Sequence, residues 1–153
     1  MQILIRDAEI TDMDDLQGVF QRASLSNEND QGLLLEHPEW LKLSNKAVIE
    51  GRMRVAIDEK GAVVGFATAQ YSDDLAELED LFVDPPRMRH GVGTALVRDI
   101  SKRLNELHFE TLEVTANPHA KSFYGQLGFV EVRIVETPGY PAHRMSRPTR
   151  FQD

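Results

Sequence analysis

The stretch LEDLFVDPPRMRHGVGTAL, residues Leu78 to Leu96, joins a predicted strand to a predicted helix through a short loop. The strand has alternating character up to Val83, and Pro85 ends it because proline cannot donate to a strand ladder. Gly91 and Gly93 stand where an apolar spacing of helical period begins. A strand, a glycine-containing loop and a helix start in this order are typical of anion-binding sites.

The first turn of a helix binds anions because its backbone N–H groups lack partners within the helix and lie at the positive end of the helix dipole. Gly91 and Gly93 carry no Cβ, so a phosphate could approach the main chain closely. The motif is not a dinucleotide-binding fingerprint, since Leu96 occupies the third glycine position, and no Gly-Lys-Ser/Thr loop occurs. Taken alone, the two glycines are also compatible with an ordinary helix start that binds no anion.

A second strand-to-helix passage runs from Val114 to Phe129 and has the sequence VTANPHAKSFYGQLGF. It fills every position of the pattern Asn-x-x-Ala-x-x-Phe-Tyr-x-x-x-Gly-Phe, which begins here at Asn117. In this passage the sequence resembles the later motif of the GNAT superfamily of N-acyltransferases.

The first passage is similar to the acyl-CoA loop of the same superfamily. That pattern has a Val-x-Pro exit from a strand, here Val83 to Pro85, followed by Arg/Gln-x-x-Gly-x-Gly/Ala at the start of a long helix. Two positions depart from it, since Met88 stands where the family prefers Arg or Gln and Arg89 replaces a frequent Gly. The two passages together cover about a third of the chain, and the predicted element order fits the family from end to end.

The predicted fold class is α/β (α+β), with residues 1–153 forming a single GNAT domain. The resemblance implies a mixed and mostly antiparallel central sheet with helices on both faces. Periodicity and turn residues predict strands over residues 2–6, 52–58, 62–71, 76–83, 111–116, 129–137 and 143–147. They predict helices that begin at Thr11, that cover 32–43 with a break at His37 and Pro38, and that cover 91–107 and 119–127.

The resemblance implies acetyl-CoA as the acyl donor. Its pyrophosphate is expected on main-chain N–H groups of the glycine loop, and its pantetheine arm along the backbone of one strand. The expected coenzyme-binding residues are Leu81, Phe82, Val83, Met88, Arg89, His90, Gly91, Val92, Gly93, Thr94, Asn117 and Tyr124. Arg87, Arg89 and His90 could supply positive charge. Asn117 has a structural alternative, because Asn before Pro118 is also a typical helix N-cap.

The expected catalytic residues are Tyr124, Glu79 and Glu77. The resemblance implies that Tyr124 protonates the leaving thiolate, whereas its helical position is also compatible with a core aromatic residue. Glu77 and Glu79 share one face of a strand, and either could take the proton of an amine, with Glu79 preferred. The alternative is that both acids only solvate a face of the sheet.

The charge pattern bears on the amine substrate. The chain has 17 Lys plus Arg and 25 Asp plus Glu, a formal net charge of −8, which argues against nucleic-acid binding. Acids concentrated in residues 72–84 favour a small cationic amine, although a protein N-terminus or a lysine stays open. Arg144, Arg147 and Arg150 could instead recognise a carboxylate. A module that senses acyl-CoA or binds a protein without turnover is the alternative of another class, suggested by Met88.

The sequence gives no indication of a metal site, a membrane span or a signal peptide. The chain contains no Cys, and its five His residues lack the close spacing of a metal site, so no metal is expected. No apolar run is long enough for a membrane span, and the N-terminus carries charge too early for a signal peptide. The expected location is the cytoplasm. The expected partners are acetyl-CoA and an amine, and a homodimer is left open.

Overall fold

The computed structural model describes residues 2–26 and 28–151, which contain seven strands and five α-helices. The strands are β1 Leu4–Asp7, β2 Met53–Ile57, β3 Val63–Tyr71, β4 Ala76–Val83, β5 Thr111–Ala116, β6 Val130–Thr137 and β7 Tyr140–Pro148. The α-helices are α1 Met13–Leu25, α2 Glu28–Glu36, α3 Lys46–Ile49, α4 Val92–Glu106 and α5 Lys121–Gln126. Short 3₁₀ helices cover Ile10–Asp12, Pro38–Leu41 and Pro85–Arg87.

The strands form one mixed sheet in the order β1-β2-β3-β4-β5-β7-β6. Antiparallel pairing joins β1 to β2, β2 to β3, β5 to β7 and β6 to β7. The pair formed by β4 and β5 is parallel, and α4 lies between these two strands in the chain as a crossover connection. A mixed, mostly antiparallel sheet agrees with the predicted fold class.

The chain divides into two compact units, of which the first contains residues 1–68 and 80–97. Its core places one face of β2 and β3 against α1 and α3. Phe66 of β3 is fully buried there, and Phe82 packs on it with ring centroids 5.4 Å apart. The core residues are Ala8, Leu16, Val19, Ala47, Val48, Met53, Val55, Ile57, Val63 and Phe66.

The other face of β3 in the first unit lies against the first turns of α4. Gly65 is the contact point, because a Cβ built on it would lie 3.1 Å from Val92 Cγ1 and 3.2 Å from Leu96 Cδ1. Since alternate residues of a strand point to opposite faces, Phe66 points to one face of β3 and Gly65 lies on the other. This strand is therefore covered by helices on both of its faces.

The second unit contains residues 69–79 and 98–153. Burial alternates along β5, with Leu112, Val114 and Ala116 buried, as expected for a strand with one face in the core. Ile100 and Leu104 of α4 are buried as well, one helical turn apart. The β6–β7 hairpin turns at Gly139, whose positive φ of 93° suits a residue without a side chain.

Most predicted elements are present with shifted ends, while β4 and β5 have the predicted bounds. The break at His37 and Pro38 is confirmed, since α2 ends at Glu36 and a 3₁₀ helix follows. Thr11 as an N-cap is wrong: a 3₁₀ turn begins before it, and Glu9 and Asp12 form the capping box. The one-turn helix α3 was not predicted from the sequence.

No helix among the described residues has the length and apolar character needed to cross a membrane.

Candidate functional site

The glycine loop of the first unit is a tight turn that leads into α4. Pro85–Arg87 form a 3₁₀ turn, in which the Arg87 N–H donates to the Asp84 carbonyl at 2.8 Å. Arg89 and Gly91 then adopt positive φ values of 66° and 85°. Glycine adopts this region freely, but a residue with a Cβ does so at a cost, so Arg89 is held in an unfavourable conformation.

Helix α4 begins directly after this turn. The Ala95 N–H donates to the Gly91 carbonyl at 3.0 Å, as the first bond of a helix should. Val92 is 1% exposed and Leu96 is fully buried, and they fix the helix start to the core. Gly91 is exposed, so the N–H groups of the first turn can face an anion from solvent.

The exposure of the predicted loop residues differs along the loop. Arg89, His90 and Gly91 are exposed, and Met88 is 39% exposed. The side chain of Val92 belongs to the core, which leaves only its main chain for a ligand. Gly93 and Thr94 are half-buried in the first turn of α4.

Two ion pairs hold the chain where it leaves β4. In the first, Arg22 of α1 binds Asp84 in a bidentate manner, with Nε and Nη2 at 2.8 and 3.1 Å from the two carboxylate oxygens. The main chain of Asp84 is fixed as well, since its N–H donates to the Val64 carbonyl at 2.8 Å. The exit from β4 is thereby tied to α1 and β3 within the first unit.

In the second pair, Arg87 Nη2 lies 2.7 Å from Asp58 Oδ2. The other oxygen of Asp58 accepts the N–H groups of Lys60 and Ala62 at 3.0 and 2.9 Å. These backbone hydrogen bonds, that from Ala62 above all, and the nearby positive charge of Arg87 hold the pKa of Asp58 below its usual value. Asp58 precedes the predicted β2–β3 turn, but its partner Arg87 was not foreseen.

In the second unit, Glu77 and Glu79 of β4 share a face, as the period of two predicts. The opposite face is apolar, since Ala76 and Leu78 are 2% and 4% exposed. Glu79 is exposed, whereas Glu77 is half-buried. The two candidate bases therefore have different surroundings although they lie only two residues apart.

Arg144 of β7 binds Glu77 directly. Its Nη1 lies 2.7 Å from Glu77 Oε2 and 2.8 Å from Thr115 Oγ1, and its Nε lies 2.8 Å from Glu113 Oε1. Burial alone would lower the pKa of Arg144, but the hydrogen bonds to the two carboxylates outweigh it and raise the pKa. Sequence reasoning proposed Arg144 as a carboxylate ligand and did not foresee Glu113 or Thr115.

The pairing of β4 with β5 is short. Among the residues that the structure describes, it consists of Glu77 opposite Glu113 and Leu78 opposite Val114. Both strands continue beyond the last pair, and β5 keeps its ladder with β7 as far as Ala116. The main chain of β5 after Val114 is thus paired to β7 but has no further ladder partner in β4. An extended chain could add itself at such an edge.

Tyr124 lies on α5 in an aromatic cluster. Its ring contacts Phe123 and Phe129 edge-on, with centroids 5.1 and 5.3 Å apart, and the residue is 6% exposed. Burial raises the pKa of the phenol well above its usual value. Within the described residues Thr68 Oγ1 is the buried side-chain polar atom without a partner, so the Tyr124 hydroxyl is not a buried orphan.

Asn117 caps the turn that precedes α5. Its Oδ1 and its carbonyl oxygen both accept the Ala120 N–H, at 2.8 and 3.1 Å. The helix itself begins later than predicted, at Lys121. Asn117 therefore caps this turn, whereas the N-cap of α5 is Ala120, so the predicted role of Asn117 as the N-cap of the helix is wrong. Only the amide nitrogen of its side chain is left to donate to a ligand.

Within residues 2–26 and 28–151, no three His, Asp or Glu residues come together in a way that could hold a metal ion.

The fold is shared with solved acetyltransferases. The PaiA N-acetyltransferase of Thermoplasma acidophilum, in complex with coenzyme A, is 18% identical with a TM-score of 0.76, over 97% of this chain and 99% of that one. The ribosomal-protein-S18-alanine N-acetyltransferase of Escherichia coli is 24% identical with a TM-score of 0.71, over 99% and 97%. The phosphinothricin acetyltransferase of Sinorhizobium meliloti, in complex with AcCoA, is 22% identical with a TM-score of 0.72, over 97% and 89%. At these identities the likeness establishes the GNAT fold.

The family follows from the sequence itself. The model of the acetyltransferase (GNAT) domain matches residues 25–147. The chain belongs to the GNAT acetyltransferase family, which confirms the predicted family, fold class and enzyme class. No curated protein sequence matches the chain.

Proposed function

We propose that the protein transfers an acetyl group from acetyl-CoA to a primary amine of a small cationic molecule, by direct attack of the amine in a ternary complex. The observation that carries this proposal is the short β4–β5 pairing, which ends at Leu78 and Val114, one residue before Glu79. It gives an extended thioester arm a strand edge beside a carboxylate. Membership of the GNAT acetyltransferase family supports the choice of acyl donor.

The glycine loop is the proposed pyrophosphate site. Its positive-φ residues Arg89 and Gly91 bring the chain into the first turn of α4, where free N–H groups and the helix dipole favour an anion. Arg89 and His90 are exposed, and Arg89 carries a positive charge. Met88, Val92, Gly93 and Thr94 contribute main-chain groups. The backbone of Leu81, Phe82 and Val83 and the amide nitrogen of Asn117 are assigned to the pantetheine arm.

The reaction needs one base and one acid. The neutral amine nitrogen attacks the thioester carbonyl carbon, a C–N bond forms, and the C–S bond breaks with its electron pair on sulfur. A base takes the proton that the amine nitrogen loses, and Tyr124 donates a proton to the thiolate, whose conjugate thiol has a pKa of about 8.5. The phenol of Tyr124 is protonated at neutral pH, although burial raises its pKa and so makes it a weaker acid than an exposed tyrosine.

Glu79 is the proposed base in preference to Glu77. Glu77 is half-buried and its Oε2 accepts a hydrogen bond from Arg144 Nη1 at 2.7 Å, so it is less accessible to an amine. Glu79 is exposed on the same face of β4 and can reach a bound amine directly or through water. Glu79→Gln is expected to lower kcat more than Glu77→Gln, and the reverse order would reassign the base.

The charges around Arg144 favour a cationic acceptor. Glu77 and Glu113 together carry two negative charges against the one positive charge of Arg144, and Glu79 adds a further negative charge to the β4 face. Because Arg144 is engaged by two carboxylates, it is poorly placed to bind the carboxylate of a substrate. This reasoning favours di- and polyamines over amino acids and over uncharged amines.

Calorimetry with acetyl-CoA followed by thiol release over an amine panel tests the proposal. The panel contains a diamine, a monoamine of the same chain length, an amino acid and a peptide with a free N-terminus and a lysine. Release with the diamine at a kcat/KM about two- to fivefold above the monoamine supports the cationic acceptor, as expected for one added charge contact worth about 0.5–1 kcal/mol. Acetyl-CoA binding without release from any amine supports the acyl-CoA-sensing module instead, and release with the peptide alone supports a protein acetyltransferase.

We propose that residues 1–153 act as one domain, that the protein works in the cytoplasm, and that its physiological partners are acetyl-CoA and the amine. A homodimer is the proposed alternative to a monomer, and sedimentation velocity at several protein concentrations distinguishes the two.

A further inference from the structure

We propose that Asp58 is a positioning residue for coenzyme binding, because its ion pair with Arg87 fixes the loop that leads into α4. The inference rests on the proposed function, since it takes the loop as the pyrophosphate site. Asp58 is not part of either sequence motif and lies 29 residues before its partner. It is nevertheless joined to the loop by a hydrogen bond of 2.7 Å between charged groups.

Asp58 is itself rigidly held in the β2–β3 hairpin. Its side chain is 1% exposed, and Oδ1 accepts the N–H groups of Lys60 and Ala62. Its main chain exchanges further bonds across the turn, donating to the Ala62 carbonyl and accepting from the Gly61 N–H, both at 3.0 Å. Oδ2 is left to face Arg87. The carboxylate is therefore a fixed point of the sheet to which the loop is attached.

The loop has a physical need for such an attachment. Arg89, two residues after Arg87, adopts a φ of 66°, which residues with a side chain rarely adopt. A strained conformation persists only where the surroundings determine it strongly. The Asp58–Arg87 pair fixes the chain before Arg89, and the buried Val92 fixes the chain after it.

The pair also assigns a role to Arg87. Its charge is compensated by Asp58 at 2.7 Å, so it adds less positive charge to the loop than its position in the sequence suggests. The GNAT pattern places an Arg or Gln one position later, where this chain has the exposed Met88. Arg87 therefore acts on the coenzyme through the shape of the loop, and Arg89 is left as the charged side chain of the site.

Asp58→Asn removes the ion pair with Arg87 but keeps the hydrogen bonds of the hairpin. The Asn oxygen can still accept the Lys60 and Ala62 N–H groups, whereas its amide nitrogen can only donate and repels the Arg87 guanidinium. The loop then adopts the binding geometry for a smaller fraction of the time, which weakens apparent affinity in proportion. We expect the Kd for acetyl-CoA by calorimetry, and the KM for acetyl-CoA, to rise about tenfold at unchanged kcat.

Variants of Arg87 provide the matched tests. Arg87→Met is expected to raise the Kd at least as much as Asp58→Asn does, and Arg87→Lys to restore most of the affinity because it keeps the charge. In the double variant with Asp58→Asn and Arg87→Met, the Kd should be no higher than in the Arg87→Met variant, since the Asp58–Arg87 interaction is already absent there. Asp7→Asn breaks the 2.9 Å pair with Arg54 between β1 and β2 and should leave the Kd unchanged.

The outcomes separate this inference from the proposed function. If the wild-type protein does not bind acetyl-CoA, the proposed function fails, and this inference fails with it. If the wild-type protein binds acetyl-CoA but the folded Asp58→Asn and Arg87→Met variants bind it equally well, the positioning role is overturned and the proposed function stands. A fall in kcat at an unchanged KM in both variants would also overturn it.

Discussion

A Cβ at Gly65 would lie 2.9 Å from the carbonyl oxygen of Phe82, closer than real Cβ atoms approach a backbone oxygen. Gly65 is on β3, and Phe82 is on β4 just before the strand ends. The same Cβ would lie 3.1 Å from a methyl group of Val92, the first residue of α4. The missing side chain thus lets the end of β4 and the start of α4 approach β3 closely within the first unit.

Gly65→Ala should therefore destabilise the protein. The added methyl group meets a backbone atom, which cannot rotate away, so strands or helix must shift. We expect a loss of about 2 kcal/mol in the free energy of unfolding, within the range for overpacked cores. Urea denaturation followed by circular dichroism measures it.

Gly125→Ala is the matched control for this substitution. Gly125 lies inside α5, and a Cβ built on it has no atom within 4 Å. Alanine favours a helix over glycine by roughly 0.8–1 kcal/mol, so this variant should be unchanged or more stable. Equal stability of the two variants would refute the close approach at Gly65.

A second prediction concerns Arg89, because the effects of its backbone conformation and of its charge can be tested separately. Its φ of 66° favours glycine, and a non-glycine residue there costs about 1 kcal/mol or more. Arg89→Gly and Arg89→Ala both remove the charge, but only Arg89→Gly removes the strain. We expect the Gly variant to be about 1 kcal/mol more stable than the Ala variant in urea denaturation.

Coenzyme binding should respond differently to the same two variants. If Arg89 contributes charge to the pyrophosphate site, both should bind acetyl-CoA more weakly, and the affinity loss should shrink as salt rises. Calorimetry at low and high salt checks this. Unchanged affinity in both variants would remove Arg89 from the site while leaving the stability argument intact.

Much of the fold could be predicted because its signals are local. The bounds of β4 and β5 follow from alternating residues that end at Pro85 and Pro118, which cannot continue a strand. The helix α3 was missed because Lys46–Ile49 is a single turn, too short to show a helical period. Thr11 was misjudged because Glu9 and Asp12 provide a competing cap just before α1.

The candidate site was predictable where it lies on one continuous segment. The turn at Gly91 and the cap at Asn117 each depend on residues a few positions apart. The ion pairs that surround them join residues distant in the sequence, 29 apart for Asp58 and Arg87 and 31 apart for Glu113 and Arg144. A single sequence carries no signal for such pairs, because their partners are chosen by the packing of the sheet.

A third prediction concerns Arg144, whose guanidinium lies between two carboxylates. It is 7% exposed and binds both Glu77 and Glu113, so Arg144→Met leaves two like charges without their shared cation. Breaking a buried ion pair by removing one partner costs about 3–5 kcal/mol, and we expect a loss at the lower end at pH 7. The free energy of unfolding from urea denaturation measures it.

The like charges of Glu77 and Glu113 should account for most of this loss. Glu113→Gln combined with Arg144→Met removes one of the two charges and should therefore recover stability at pH 7. No recovery in the double substitution would show that lost packing and not charge accounts for the effect.

A fourth prediction concerns Tyr124 and links its burial to the free energy of unfolding at high pH. Burial raises the pKa of the phenol above its usual value of 10.0, so the folded state keeps the proton at a pH where the unfolded state loses it. Stability is therefore unaffected by this group below pH 10 and falls as the pH rises above it. The slope from one such group approaches about 1.4 kcal/mol per pH unit.

Tyr124→Phe removes this group while keeping most of the aromatic packing on Phe123 and Phe129. The difference in unfolding free energy between the wild-type protein and the variant should be constant from pH 7 to about 9 and should change above about pH 10, with the variant losing less. In the same variant kcat should fall about 100-fold or more, as expected for a lost general acid, while the Kd for acetyl-CoA stays unchanged. A flat stability difference above pH 10 would place the hydroxyl in solvent, and an unchanged kcat would mean that the thiolate leaves without the help of Tyr124.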